Sequence, residues 1–124
     1  MQQVKIIECP RDAMQGIKTW IPTEQKVKYI QSLLRCGFDT IDFGSFVSPK
    51  AIPQMQDTAE VLSKLDLSTT KSKLLAIIAN LRGAEDAVKH PEIDYLGYPF
   101  SISQYAQNNC RILGNTSGNF KPCL

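Results

Sequence analysis

The sequence predicts an α/β fold of alternating βαβ units around a parallel sheet, and three observations carry that reading. Strand signals begin near residues 4, 40, 73 and 93, with helix signals between them. Such alternation implies right-handed crossovers between parallel strands. The run Lys73-Leu74-Leu75-Ala76-Ile77-Ile78-Ala79 is almost continuously apolar, the pattern of a parallel strand covered on both faces. No Gly-x-Gly-x-x-Gly follows the first strand and no P-loop pattern occurs, so a doubly wound nucleotide-binding sheet lacks its fingerprint. The other common parallel architecture, the (β/α)8 TIM barrel, needs about 250 residues. A chain of 124 residues is therefore expected to hold a truncated, N-terminal half of one.

Each element has its own signal. Val4 to Glu8 is a β-branched run stopped by Cys9-Pro10, which reads as a strand. A polar loop is expected next. Val27, Ile30, Leu33 and Leu34 then recur at helical spacing, with Thr23 as the expected N-cap and Gly37 as the C-cap. Thr40 to Phe43 reads as a second strand ending at Gly44, followed by the loop Ser45-Phe46-Val47-Ser48-Pro49-Lys50. Met55, Ala59, Leu62 and Leu65 mark another amphipathic helix. Lys73 to Ala79 is the third strand, Arg82 to His90 a short helix stopped by Pro91, and Ile93 to Tyr98 a fourth strand.

Composition excludes several classes. The balance of 14 basic against 12 acidic residues, a net charge of +2, is too weak for phosphate-driven nucleic-acid binding. The longest apolar run, Leu74 to Ala79, is far short of the roughly 20 residues of a membrane span. No signal-peptide pattern opens the sequence, so a cytoplasmic location and reduced thiols are expected. Cys9, Cys36, Cys110 and Cys123 show no zinc-ligand spacing. The charge is unevenly placed: residues 101–124 hold Arg111 and Lys121 and no acid, together with four of the five asparagines. That change of character divides the expected organisation into a barrel part, residues 1–103, and a tail, residues 104–124, read as disordered or frame-shifted sequence.

In parallel α/β folds chemistry sits at the carboxyl ends of the strands. Those ends carry Arg11 and Asp12, then Asp42, then Asn80. Asp12 and Asp42 are hard oxygen ligands suited to Mg²⁺ or Mn²⁺, or candidate acid–base groups, and Arg11 suits a carboxylate or an enolate oxygen. An Arg-Asp pair after a strand also reads as a turn or a surface ion pair. His90 fits a helix C-terminus, and Cys9, without a histidine nearby in sequence, is expected to pack against the sheet. Trp20 and Phe46-Val47 read as pocket lining or as covers for the core, and Lys50 as a solvated loop lysine.

The segments Val4-Lys5-Ile6-Ile7-Glu8-Cys9-Pro10-Arg11-Asp12-Ala13-Met14-Gln15, Ile21-Pro22-Thr23-Glu24, Ser45-Phe46-Val47-Ser48-Pro49-Lys50, Ile52-Pro53-Gln54-Met55 and Asn80-Leu81-Arg82-Gly83 together resemble the hydroxymethylglutaryl-CoA lyases. These are metal-dependent barrel lyases related to the Claisen-type synthases. The Ser45 to Lys50 segment disfavours the synthases.

The resemblance implies cleavage of an acyl-CoA substrate, 3-hydroxy-3-methylglutaryl-CoA, to acetyl-CoA and acetoacetate with a divalent cation, Mg²⁺ or Mn²⁺, in leucine catabolism and ketone-body metabolism. By position in the motif, Arg11 would stabilise the enolate oxygen and Asp12 would be a metal ligand. Gln15, Ser45 and Asn80 would bind substrate or support the site. Asp42, placed among the catalytic residues, stands where better-known lyases carry a glutamate one methylene longer.

The family's later metal ligands, a His-x-His pair and an asparagine, and its cysteine in a glycine-rich loop are expected to be missing here. Cleavage by this chain alone is therefore expected to be negligible unless those ligands are supplied. Open sheet edges favour self-association. The alternative reading is a non-catalytic α/β binding or regulatory fragment.

Overall fold

A computed structural model of the chain describes residues 3–99. The tail expected over 104–124, with Cys110 and Cys123, lies outside the described residues. Four strands form one sheet in the order β1-β2-β3-β4, every pair parallel. They are β1 (Ile7–Glu8), β2 (Thr40–Ser45), β3 (Lys73–Ile77) and β4 (Tyr95–Gly97). Between them run α1 (Pro10–Gln15), α2 (Thr23–Leu34), a 3-10 turn (Pro53–Met55), α3 (Thr58–Ser63) and α4 (Leu81–Ala87). The predicted α/β alternation is therefore the architecture observed. No helix among the described residues is long and apolar enough to cross a membrane.

Side-chain alternation divides the sheet into two faces. Ile41 and Phe43 of β2 and Leu74 and Ala76 of β3 join Ile30 and Leu34 of α2 and Val61 and Leu62 of α3 in one buried cluster. This is the helix-covered face, and its burial is the main driving force for the fold. The register places Ile7, Thr40, Asp42, Leu75, Ile77, Tyr95 and Gly97 on the other face. Leu75 and Ile77 are only half-buried there, and Tyr95 is 49% exposed. The apolar run of β3 thus reflects one face packed under helices and one partly open face, rather than two buried faces.

Other local expectations shift for physical reasons. The loop expected after β1 is helix α1, entered by Pro10 at its first turn, where a missing N–H and a fixed φ suit a helix start. Only Pro10 and Met14 of its six residues are buried, too few to show a period. Pro22 rather than Thr23 takes the N-cap of α2, because the Thr23 hydroxyl donates to Asp57 Oδ2 at 2.8 Å. Arg35 takes the C-cap, and Gly37, at φ +82°, makes the left-handed turn into β2. The expected helix from Met55 divides into the 3-10 turn and α3. Cys9 is exposed rather than packed on the sheet, since it stands at the N-cap of α1.

β2 is longer than expected, and it bulges. The pairing with β3 steps from Asp42↔Leu75 to Gly44↔Ala76, leaving Phe43 as the extra residue. Gly44 permits this: a Cβ there would lie 2.5 Å from Thr58 Cγ2. Thr58 uses the approach, its Oγ1 accepting from the Ser45 N–H at 3.1 Å and donating to the Met55 carbonyl at 2.8 Å. The bulge lies beside Asp42, a common placement next to functional groups.

Candidate active site

Arg11, Asp12, Gln15 and Asp42 meet at the carboxyl end of the first two strands. Arg11 and Asp12 stand in the first turn of α1 and Gln15 in its last, so Arg11 and Gln15 are four apart and share a face. Asp42 projects from β2 on the partly open face of the sheet. Arg11 Nη2 donates to Asp42 Oδ2 at 2.6 Å, and Nε lies 3.2 and 3.1 Å from the two carboxylate oxygens. Arg11 Nη1 donates to Gln15 Oε1 at 2.9 Å and to Asp12 Oδ1 at 3.3 Å, and Gln15 Nε2 closes the ring by donating to Asp12 Oδ1 at 3.2 Å. A guanidinium has five N–H donors. Among the described residues these contacts engage all but one, on Nη2.

Burial separates the roles of the two carboxylates. The Asp42 side chain is 6% exposed and that of Arg11 15%, whereas that of Asp12 is 67% exposed. Desolvation by burial works to lower the Arg11 pKa, but the hydrogen bonds and charge of Asp42, with Asp12 adding, outweigh it and raise it. The guanidinium is a fixed cation aimed by Asp42 and Gln15. At Cys9 beside it, partial desolvation first, then the Asp42 carboxylate, push the thiol pKa up against the opposing pull of Arg11.

Ser45 and Asn80 are not part of this ring. The Ser45 hydroxyl donates to the Ile77 carbonyl at 3.3 Å and accepts from the Val47 N–H at 3.1 Å, shaping the loop after β2. Asn80 caps α4, its Oδ1 accepting from the Gly83 N–H at 2.8 Å. Both line a separate cavity of about 240 Å³ between that loop and α4, together with Ser48, Thr58 and Arg82. His90 stacks obliquely on Phe46, 5.5 Å between ring centres. Among the described residues no group of three or more His, Cys, Asp or Glu side chains converges on a metal position. Asp12 is a single exposed donor, and Asp42 is taken up by Arg11.

Sequence reading missed Lys26, Gln54 and Asp57. Lys26 is 2% exposed. Its Nζ donates to Asp57 Oδ1 at 2.6 Å and to the Gln54 carbonyl at 2.5 Å, and it sits 3.8 Å from the centre of the Trp20 ring. A lysine in an otherwise amphipathic helix reads as solvated. The one hint was its place on the Ile30–Leu34 side of α2.

No family model matches the chain. The hydroxymethylglutaryl-CoA lyase, mitochondrial, of Macaca fascicularis is 38% identical over 114 residues, 90% of this chain and 35% of that protein. The Bacillus subtilis lyase YngG is 38% identical over 80 residues, 64% of this chain and 26% of that protein. An HMG-CoA lyase from Acinetobacter baumannii, solved with coenzyme A and 3-methylmalate, superposes with a TM-score of 0.75 at 38% identity, covering 82% of this chain and 33% of that one. The Brucella melitensis enzyme gives 0.81 at 30% identity, covering 90% and 39%. These structures are TIM barrels, and the sheet described above corresponds to part of one. The chain spans about a third of the length of the relatives it matches. By sequence and by fold, over the part it spans, the chain matches the hydroxymethylglutaryl-CoA lyases.

Proposed function

We propose that this chain supplies the Arg11 side of a carbon–carbon lyase site that cleaves 3-hydroxy-3-methylglutaryl-CoA to acetyl-CoA and acetoacetate. The observation that carries the reading is the Arg11–Asp42–Gln15–Asp12 ring at the mouth of a parallel sheet, in a chain homologous to lyases of that name. In the cleavage, the substrate's C3 hydroxyl loses its proton, the C2–C3 bond breaks, and the electron pair moves into the thioester as an enolate. The enolate is then protonated at C2. Arg11, a cation preset by Asp42, donates its remaining N–H to the thioester oxygen as negative charge develops there, and preset donors of this kind stabilise transition states strongly. Gln15 keeps the guanidinium plane from turning. The acyl-CoA substrate is supported by the Acinetobacter structure, which holds coenzyme A.

Among the described residues Asp12 offers one carboxylate and no three-donor set converges, which supports a divalent cation, Mg²⁺ or Mn²⁺, that needs further ligands besides these. Stable divalent sites take several ligands, so the isolated chain is proposed to be inactive. The test is complementation. The 124-residue chain is mixed with the remaining portion of a related lyase and Mg²⁺, and acetoacetate is measured. Expected are no product from either piece, product from the pair, and its loss with Arg11→Met. Turnover by the chain alone, or complemented turnover indifferent to Arg11, overturns the proposal.

A further inference from the structure

The segment Ile52-Pro53-Gln54-Met55 takes no part in the Arg11 ring, yet its Gln54 is 3% exposed and has every polar group of its side chain engaged. Gln54 Nε2 donates to the carbonyls of Ile17 at 2.8 Å and Thr19 at 2.9 Å, and Oε1 accepts from the Ile21 N–H at 3.0 Å. One side chain thus grips three backbone groups of the segment joining α1 to α2. The grip is itself fixed from below. Buried Lys26 bonds the Gln54 backbone carbonyl and pairs with Asp57, whose other oxygen accepts from Thr23. Lys26 also lies under Trp20, so the gripped segment carries its own contact to the clamp.

This arrangement has a direct line to the site. Helix α1 is only six residues long, too short to hold its shape unaided. Met14 anchors it in the core. Its last residue is Gln15, which orients Arg11 Nη1, and Gly16 and Ile17 follow at once. The Ile17 N–H donates back to the Met14 carbonyl at 3.0 Å, so the residue held by Gln54 also closes the end of α1. We infer that Gln54, backed by Lys26 and Asp57, is a positioning residue for the Arg11 site, acting through the 17–21 segment and Gln15. Arg11's role in the reaction rests on the function proposed above; the mechanical coupling does not.

The experiment uses the full chain labelled with ¹⁵N and reads three signals at once. Exchange of the Arg11 Nε–H reports its hold on Asp42, emission of Trp20, the chain's single tryptophan, reports the segment, and exchange at Leu74 and Ala76 reports the core. In Gln54→Leu, Arg11 Nε–H exchange is expected to quicken about tenfold or more and Trp20 emission to shift to the red, with the core amides unchanged. Gln54→Glu keeps an acceptor for Ile21 and is expected to fall between wild type and Gln54→Leu. It also serves as the working variant if the leucine form does not fold. Asp42→Asn should free the Arg11 Nε–H without moving Trp20. A red-shifted Trp20 with unchanged Arg11 exchange would make the clamp merely structural and overturn the inference, as would an unmoved Trp20. Failure of the complementation assay with the coupling intact would instead count against the proposed function alone.

Discussion

Asp42→Asn removes one charge and almost no volume at the centre of the ring. Arg11 keeps its contacts to Gln15 and Asp12, but loses the carboxylate that takes its Nη2 at 2.6 Å and its Nε at 3.1 and 3.2 Å. Breaking a fully buried ion pair costs roughly 3–5 kcal/mol because the surviving charge is stranded, whereas an exposed pair is worth about 0–1 kcal/mol. With 15% of Arg11 and 6% of Asp42 exposed, the pair lies near the buried end, and solvent reaching Arg11 brings the expected loss to about 2–3 kcal/mol. For a chain of this size that lowers Tm by about 10 °C or more. Urea unfolding of Asp42→Asn, Arg11→Gln and the double variant measures the coupling, which is expected to exceed about 1 kcal/mol. Asp42→Glu, which keeps the charge and extends onto the half-open sheet face, should lose less than about 1 kcal/mol. If Asp42→Asn is as stable as wild type, or the two single changes simply add, Asp42 does not hold Arg11 and the argument for a preset cation fails.

Three further outcomes are expected. Gly83→Ala should destabilise by about 1–3 kcal/mol in urea, since its Cβ would lie 2.7 Å from the Phe46 backbone oxygen, while Gly16→Ala, which meets nothing within 4 Å, should stay within about 0.5 kcal/mol. The pKa values of Glu24, Asp66 and Asp86 are lowered by hydrogen bonds from Lys64, Ser68 and Lys89 respectively. Their small stabilising contributions are therefore present above the ordinary carboxylate values of 4.5 and 3.8 and are lost as pH falls through the lowered ones. Urea midpoints from pH 7 down to acid should show this, with added salt erasing the lysine pairs first. Finally, the isolated chain should self-associate through the face bearing Ile7 and Tyr95, 54% and 49% exposed. Sedimentation of Tyr95→Lys should then show a shift toward monomer; an unchanged distribution would place the contact elsewhere.

The sequence made the alternation and the meeting of Arg11, Asp12 and Asp42 legible, because both depend on local signals. The end of β1 is marked by Cys9-Pro10 and the bulge near the end of β2 by Gly44, and in a parallel fold the polar residues at the strand ends converge. That logic found Arg11, Asp12 and Asp42 before any distance was known. It did not find helix α1, whose six residues bury only two side chains, nor that Asp42 would be saturated by Arg11. The clamp was illegible for a different reason. Lys26, Gln54 and Asp57 are polar residues with ordinary surface character, and their burial is created by contacts 28 to 37 residues apart in sequence. Ser45 and Asn80 stand at or beyond strand ends as expected, but the sequence did not show that their hydrogen bonds go to backbone and that they line a cavity apart from the Arg11 ring.

The order of the sheet bears on how such a protein is made. Each strand pairs with the one synthesised just before it, so no strand waits for a distant partner, and a growing chain can consolidate in the direction of translation. The Arg11–Asp42 bridge spans 31 residues and needs only β1, α1 and β2. On a ribosome both members of the charge pair are therefore in place before β3 and β4 are added, whereas the core that covers β2 is completed only with Leu74 and Ala76 of β3.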